Sequence, residues 1–138
     1  MLTLQNEPQS LFPCIEKISV LIVDDNPTFL QIGKMFLEAS CKEWIDIIFT
    51  AVSGKEAIAL ACTHFPQLIL LDVSMPDMNG LETALLLKKI LPQTHIIMLT
   101  LLKTSGYREA ALAAGAEELI DKQNMNTDLP PAIRRLCG

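Results

Sequence analysis

Leu68-Ile69-Leu70-Leu71-Asp72 is an unbroken apolar run that ends on a carboxylate. A strand with one face in water alternates apolar and polar side chains, and this run does not, so both of its faces are predicted to be covered. Strands of that kind belong to parallel sheets, whose crossover connections lay helices over the two faces. The flanking sequence agrees. Leu81, Ala84, Leu87 and Leu91 carry helical spacing downstream, and upstream Ser53 is placed to cap a helix with Glu56 three residues later.

Comparable strand-length runs lie on either side: Ile18–Val23, Ile45–Phe49, Ile96–Leu99 and, more weakly, Glu118–Ile120. Helical patterns separate them. Phe29, Ile32, Phe36 and Leu37 follow Asn26-Pro27, a cap and a proline at the first helical position. Glu109–Ala114 forms a fourth helical segment ended by Gly115, and Leu129–Leu136 a fifth. Five strands alternating with five helices imply right-handed crossovers and an α/β doubly wound, flavodoxin-like fold: a five-stranded parallel sheet in the order 2-1-3-4-5. Residues 17–138 form one domain on this reading, which suits a length of 138. Met1–Glu16, with Pro8, Pro13 and no period, is expected to be an N-terminal extension docked in part through Leu11 and Phe12.

Half of the residues are hydrophobic but only 5% are aromatic, so the core is expected to be aliphatic. A net charge of -5 with no basic run argues against a nucleic-acid surface. No apolar run reaches membrane-spanning length. Cys14, Cys41, Cys62 and Cys137 lack metal-ligand spacing and no secretory leader is recognisable, which together point to reduced thiols in a cytoplasmic protein. His64 and His95 have no acidic neighbour in sequence and are assigned surface roles.

Ligands of doubly wound sheets sit outside the carboxyl ends of the strands. Asp24-Asp25 end the first strand, Asp72 the third and Thr100 the fourth, and Lys122 follows the fifth. Taken singly, an Asp after a strand is more often a turn or cap residue, and a Thr or Lys there is usually solvated or locally bonded. Together they place three carboxylates, a hydroxyl and an ammonium at one edge. Clustered carboxylates repel unless a cation neutralises them, and an oxygen-only set suits a hard ion, Mg²⁺ before others.

This arrangement resembles the response-regulator receiver (CheY-like) family of two-component signalling. The run Leu71-Asp72-Val73-Ser74-Met75-Pro76-Asp77-Met78-Asn79-Gly80 is its most specific piece, supported by Leu21-Ile22-Val23-Asp24-Asp25-Asn26 and Met98-Leu99-Thr100. The resemblance implies a phosphorylation switch. Asp72 would accept a phosphoryl group from a histidine kinase, a phosphotransfer protein or a small donor. Asp25, Asp72 and the Ser74 backbone carbonyl would bind Mg²⁺, with Asp24 acting partly through water, while Thr100 and Lys122 would contact phosphoryl oxygens. The output would be a remodelled face made by the fourth helix, fifth strand and fifth helix, addressed to an output protein or to an effector domain outside this sequence. The chain would thus not be an enzyme beyond self-catalysed phosphotransfer and dephosphorylation, and it would be a monomer or a phosphorylation-linked homodimer. Asn79-Gly80-Leu81-Glu82-Thr83 and Gly115-Ala116 are most similar to receivers that precede a helix-turn-helix.

Three positions depart from the family. Leu119 stands where many members carry an aromatic switch residue, Leu101 where a small residue commonly leaves the phosphoryl group accessible, and Gln123 where many place a proline. Leu101 is expected to narrow the mouth of the site and Leu119 to alter how phosphorylation is reported. The alternative function is an interaction module of the same fold that works without phosphorylation. A hydrolase or flavoprotein of similar topology lacks its motifs here.

Overall fold

The computed structural model describes residues 17–75, 77–101 and 105–138. Among these, strands and helices alternate along the chain: β1 Ile18–Val23, α1 Pro27–Ser40, β2 Ile45–Ala51, α2 Gly54–His64, β3 Leu68–Asp72, α3 Gly80–Ile90, β4 His95–Thr100, α4 Ser105–Ala113, β5 Glu118–Asp121 and α5 Met125–Cys137. The strands pair in parallel in the order β2-β1-β3-β4-β5. The expected fold is therefore the observed one, and the extension over Met1–Glu16 lies outside the described residues.

Alternate residues of each strand serve opposite faces. Val20, Ile22, Leu68, Leu70, Ile97 and Leu99 pack beneath Leu30 and Leu37 of α1 and Leu129 and Ile133 of α5. Leu21, Val23, Ile69, Leu71, Ile96 and Met98 pack beneath Ala57 and Ala61 of α2, Ala84 and Leu87 of α3, and Ala111 of α4. This two-sided burial explains the missing alternation. All five residues of β3 are buried, Asp72 included.

The helix starts behave as their sequences suggest. The Asn26 side chain accepts the N–H groups of Thr28 and Phe29 at 2.9 and 3.3 Å, with Pro27 behind it. Ser53 Oγ accepts Glu56 N–H at 3.1 Å, and the Glu56 carboxylate accepts Val52 N–H at 2.7 Å. Asn79 and Glu82 cap each other: Glu82 N–H donates to Asn79 Oδ1 and Asn79 Nδ2 donates to Glu82 Oε1, both at 2.9 Å.

Two helix boundaries differ from expectation. Helix α4 starts at Ser105 rather than Glu109, because its first turn, Ser105-Gly106-Tyr107-Arg108, presents no apolar stripe to read. Helix α5 starts at Met125 rather than Leu129. Pro130 and Pro131 lie inside it, and Met125, Leu129 and Ile133, spaced by four, are all buried on one face. A short 3₁₀ turn over Lys122–Asn124, capped by Asp121 through Gln123 N–H at 2.9 Å, occupies the position where the family's proline is missing.

Candidate functional site

The carboxyl ends of β1, β3, β4 and β5 bring Asp24, Asp25, Asp72, Thr100 and Lys122 to one edge of the sheet. They line a cavity of about 420 Å³ together with Asn26, Ser74 and Leu101. Six of the strand-end and loop residues expected at the site, and Leu101 as well, are therefore neighbours. Leu119 is not among them. It lies half-buried on β5, beside a separate groove shared with Arg108, Glu118 and Arg135.

Asp24 and Asp72 are buried, whereas Asp25 is exposed. The Lys122 ammonium, from the far end of the sheet, donates to Asp24 Oδ2 at 2.5 Å and pairs with Asp72 Oδ1 at 3.1 Å. Asp24 Oδ1 is occupied too, accepting Asn26 N–H at 2.9 Å. Burial pushes the Asp72 carboxyl above the usual aspartate range and the Asp24 charge pushes it further, against the opposing effect of Lys122. Burial alone would lower the Lys122 pKa, but its hydrogen bond to Asp24 and the charges of Asp72 and Asp24 outweigh that and raise it. The lysine is thus held charged among carboxylates that remain short of counter-charge.

Oxygen atoms of Asp24, Asp25 and Asp72 all lie within 4.8 Å of one another. Three hard oxygen donors beside an open cavity fit a small divalent cation that keeps part of its water shell, the behaviour of Mg²⁺. The donor set contains no sulfur or imidazole that would favour a softer metal. What the ensemble can do is attract a phosphoryl group, compensate its charge with an ammonium and a cation, and present a carboxylate to it.

A scan against family models matches the response regulator receiver domain over residues 20–134. The chain belongs to this family. It is 38% identical over 118 residues to the response regulator protein VraR of Staphylococcus aureus, a match covering 86% of this chain and 56% of that protein, so the chain spans little more than half the length of this relative. Among solved structures it is similar to the signal receiver domain of NarL from Mycobacterium tuberculosis, with a TM-score of 0.80 and 27% identity over 88% of this chain and 97% of that one. A CheY-like receiver from Methanospirillum hungatei aligns with a TM-score of 0.77 and 30% identity, covering 87% of this chain and 92% of the other. The isolated receiver domain of RcsB from Salmonella enterica, solved in the presence of phosphomimetic BeF₃⁻, aligns at 0.79 and 27% over 88% of each chain. Receiver domains are the signalling switches of two-component systems and generally bind Mg²⁺ at an acidic pocket, which here corresponds to the Asp24, Asp25 and Asp72 cluster.

Several side-chain contacts, in the site and elsewhere, escaped the sequence reading. Phe29, assigned only to the apolar stripe of the first helix, lies under the Lys122 ammonium at 4.3 Å from ring centroid to Nζ. Asp77 accepts the N–H groups of Gly54 and Lys55, each at 3.2 Å, and so ties the loop after β3 to the start of α2. His95, without an acidic neighbour in sequence, has Glu117 at 2.8 Å from Nδ1, supplied from 22 positions away by the parallel pairing of β4 and β5. No local pattern announces contacts of this length. His64 stacks on Phe49 with centroids 4.2 Å apart. Cys41, Cys62 and Cys137 are free thiols. Among the described residues, no helix is long and apolar enough to cross a membrane.

Proposed function

We propose that this receiver, over residues 17–138, is switched by phosphorylation of Asp72. The observation that carries the reading is the convergence of Lys122 on both Asp24 and Asp72, at 2.5 and 3.1 Å, from strands separated by most of the chain. A carboxylate oxygen of Asp72 attacks phosphorus of a kinase phosphohistidine. The O–P bond forms as the P–N bond breaks, and the bonding pair leaves on the imidazole nitrogen. Asp25, Asp72 and the Ser74 carbonyl would hold Mg²⁺, with Asp24 contributing partly through water, and the ion would supply charge compensation for the phosphoryl oxygens. Lys122 exchanges its bond to Asp72 for a phosphoryl oxygen, and the Thr100 hydroxyl donates to another.

The output surface on this reading is the face formed by α4, β5 and α5. Glu118 of β5 pairs there with Arg135 of α5 at 2.5 Å and with Arg108 of α4 at 3.8 Å. Inward movement of Thr100 would carry the start of α4 with it, strain the Arg108–Glu118 pair, and change the charge presented around Leu119. The recipient is an output protein or an effector domain; the match covers only 56% of the VraR relative, which leaves room in that protein for such a domain.

Incubation with acetyl phosphate and Mg²⁺, followed by intact-mass measurement, tests the reading. Wild type is expected to gain one phosphoryl group and Asp72→Ala none. Equal behaviour of the two would remove Asp72 as acceptor and favour a receiver fold that works without phosphorylation.

A further inference from the structure

Phe29 meets the site from α1, whereas the carboxylates come from the ends of β1 and β3. It is the third residue of α1, and its backbone is fixed by the cap: Phe29 N–H donates to the Asn26 side chain at 3.3 Å. Its half-buried ring also packs on the main core face. The Lys122 ammonium sits over that ring at 4.3 Å from the centroid. The face of an aromatic ring is negative and attracts a cation at this distance, more strongly where water is largely excluded. Only 11% of the Lys122 side chain is exposed, so the contact lies in such a place.

Among the described residues, the other partners of Lys122 are carboxylates, at 2.5 Å on Asp24 and 3.1 Å on Asp72. Both have competing engagements. A cation in the acidic cluster draws on the same oxygens, and a phosphoryl group on Asp72 consumes one of them. The ring neither titrates, nor ligates a metal, nor reacts. Of the contacts described, it is the one for which neither a cation nor a phosphoryl group competes.

We propose that Phe29 is a positioning residue, holding Lys122 at the mouth of the acidic site by ring–cation attraction while the carboxylates change partners. The proposal rests on the reading of Asp72 as phosphoryl acceptor. A leucine at position 29 would keep most of the packing and lose the charged face, whereas a tyrosine would keep both.

The test compares wild type, Phe29→Leu, Phe29→Tyr and chains with progressively fluorinated phenylalanine at position 29. Two readouts are taken: the initial rate of phosphoryl uptake from acetyl phosphate at fixed Mg²⁺, and the NMR shifts of the Lys122 ε-methylene protons without any phosphoryl donor. Phe29→Leu is expected to slow uptake roughly three- to tenfold, Phe29→Tyr by less than about twofold, and the fluorinated series in step with the loss of negative ring face. The ε-protons should be shifted upfield by the ring in wild type and Phe29→Tyr and not in Phe29→Leu. A wild-type rate in Phe29→Leu, a flat fluorinated series, or the absence of the upfield shift in wild type would each overturn the proposal. Wild type that shows the shift yet takes up no phosphoryl group would overturn the acceptor reading, and with it the role of Phe29 but not the contact.

Discussion

Lys122 Nζ stands 3.1 Å from Asp72 Oδ1, yet this ion pair does not bring the aspartate back to its ordinary acidity. Burial and the Asp24 charge outweigh the lysine, and the Asp72 pKa stays raised. A carboxyl whose pKa rises on folding contributes stability below its unfolded value, and that contribution is lost as pH climbs through the folded value. Ionised Asp72 is therefore a net burden on the fold at neutral pH when no cation is bound. Asp72→Asn in Mg²⁺-free buffer is expected to melt about 3 °C above wild type, as a change near 1 kcal/mol produces in a domain of this size. The gain should shrink as pH falls toward the ordinary aspartate value of about 3.9. Melting temperatures that coincide at neutral pH would contradict it.

Adding Mg²⁺ should reverse that order. A ligand at ten times its Kd stabilises the state that binds it by about 1.4 kcal/mol. Thermal melts of wild type are expected to rise by that amount with Mg²⁺, and those of Asp25→Asn and Asp72→Asn to stay almost unchanged. A comparable rise in all three would locate the ion elsewhere.

How far the sequence could be followed depended on the range of each interaction. The strands were legible because burial on both faces leaves an unmistakable local mark, as in Leu68–Leu71, and the site residues because strand ends of a parallel sheet converge by topology alone. The long-range side-chain contacts were not. Lys122 over Phe29, Asp77 on the start of α2 and Glu117 on His95 join residues far apart in sequence whose own neighbourhoods look ordinary. The first turn of α4 was missed because a surface helix start needs no apolar residue. The first turn of α5 was missed because Met125-Asn126-Thr127-Asp128 adds a single apolar residue ahead of the readable stripe.

Gly80 is where α3 meets the end of β3. A Cβ there would lie 2.1 Å from the Asp72 carbonyl oxygen and 2.8 Å from Val73 Cα, both backbone atoms that cannot rotate away. Gly80→Ala is expected to cost about 2–3 kcal/mol in urea unfolding and to displace the loop carrying Asp72. Gly106→Ala is the control. Its Cβ meets nothing within 4 Å on α4, so it should be neutral or stabilising by about 0.5 kcal/mol.

Asp77 offers a test by acid. Desolvation is the largest single influence and works to raise its pKa, but the backbone N–H bonds, those of Gly54 and Lys55 foremost, together outweigh it and hold the pKa below the ordinary value. A depressed carboxyl contributes stability that is present above its unfolded pKa and lost as pH falls through the folded one. Asp77→Ala is expected to lower the melting temperature at neutral pH. The gap from wild type should close below about pH 3.9 as the wild-type carboxylate protonates. A gap that stays constant into acid would mean that the aspartate acts through something other than its charge.

Leu101 is 61% exposed, immediately after Thr100, and lines the acidic cavity. An apolar side chain held largely in water at the mouth of a polar cavity contributes little to the fold, because most of its surface stays in water on folding. Its consequence is steric. Water attacking an acyl phosphate on Asp72 and a donor approaching the free carboxylate use the same opening, so one side chain obstructs both. Leu101→Ala is expected to change stability by less than about 0.5 kcal/mol, while uptake from acetyl phosphate and loss of the phosphoryl group in donor-free Mg²⁺ buffer each accelerate several-fold. Because both directions share the opening, the two rates should rise together and the steady-state level of phosphorylation change little. Acceleration of loss alone would point instead to a direct effect on the attacking water, and unchanged rates in both directions would show that the leucine leaves the opening free.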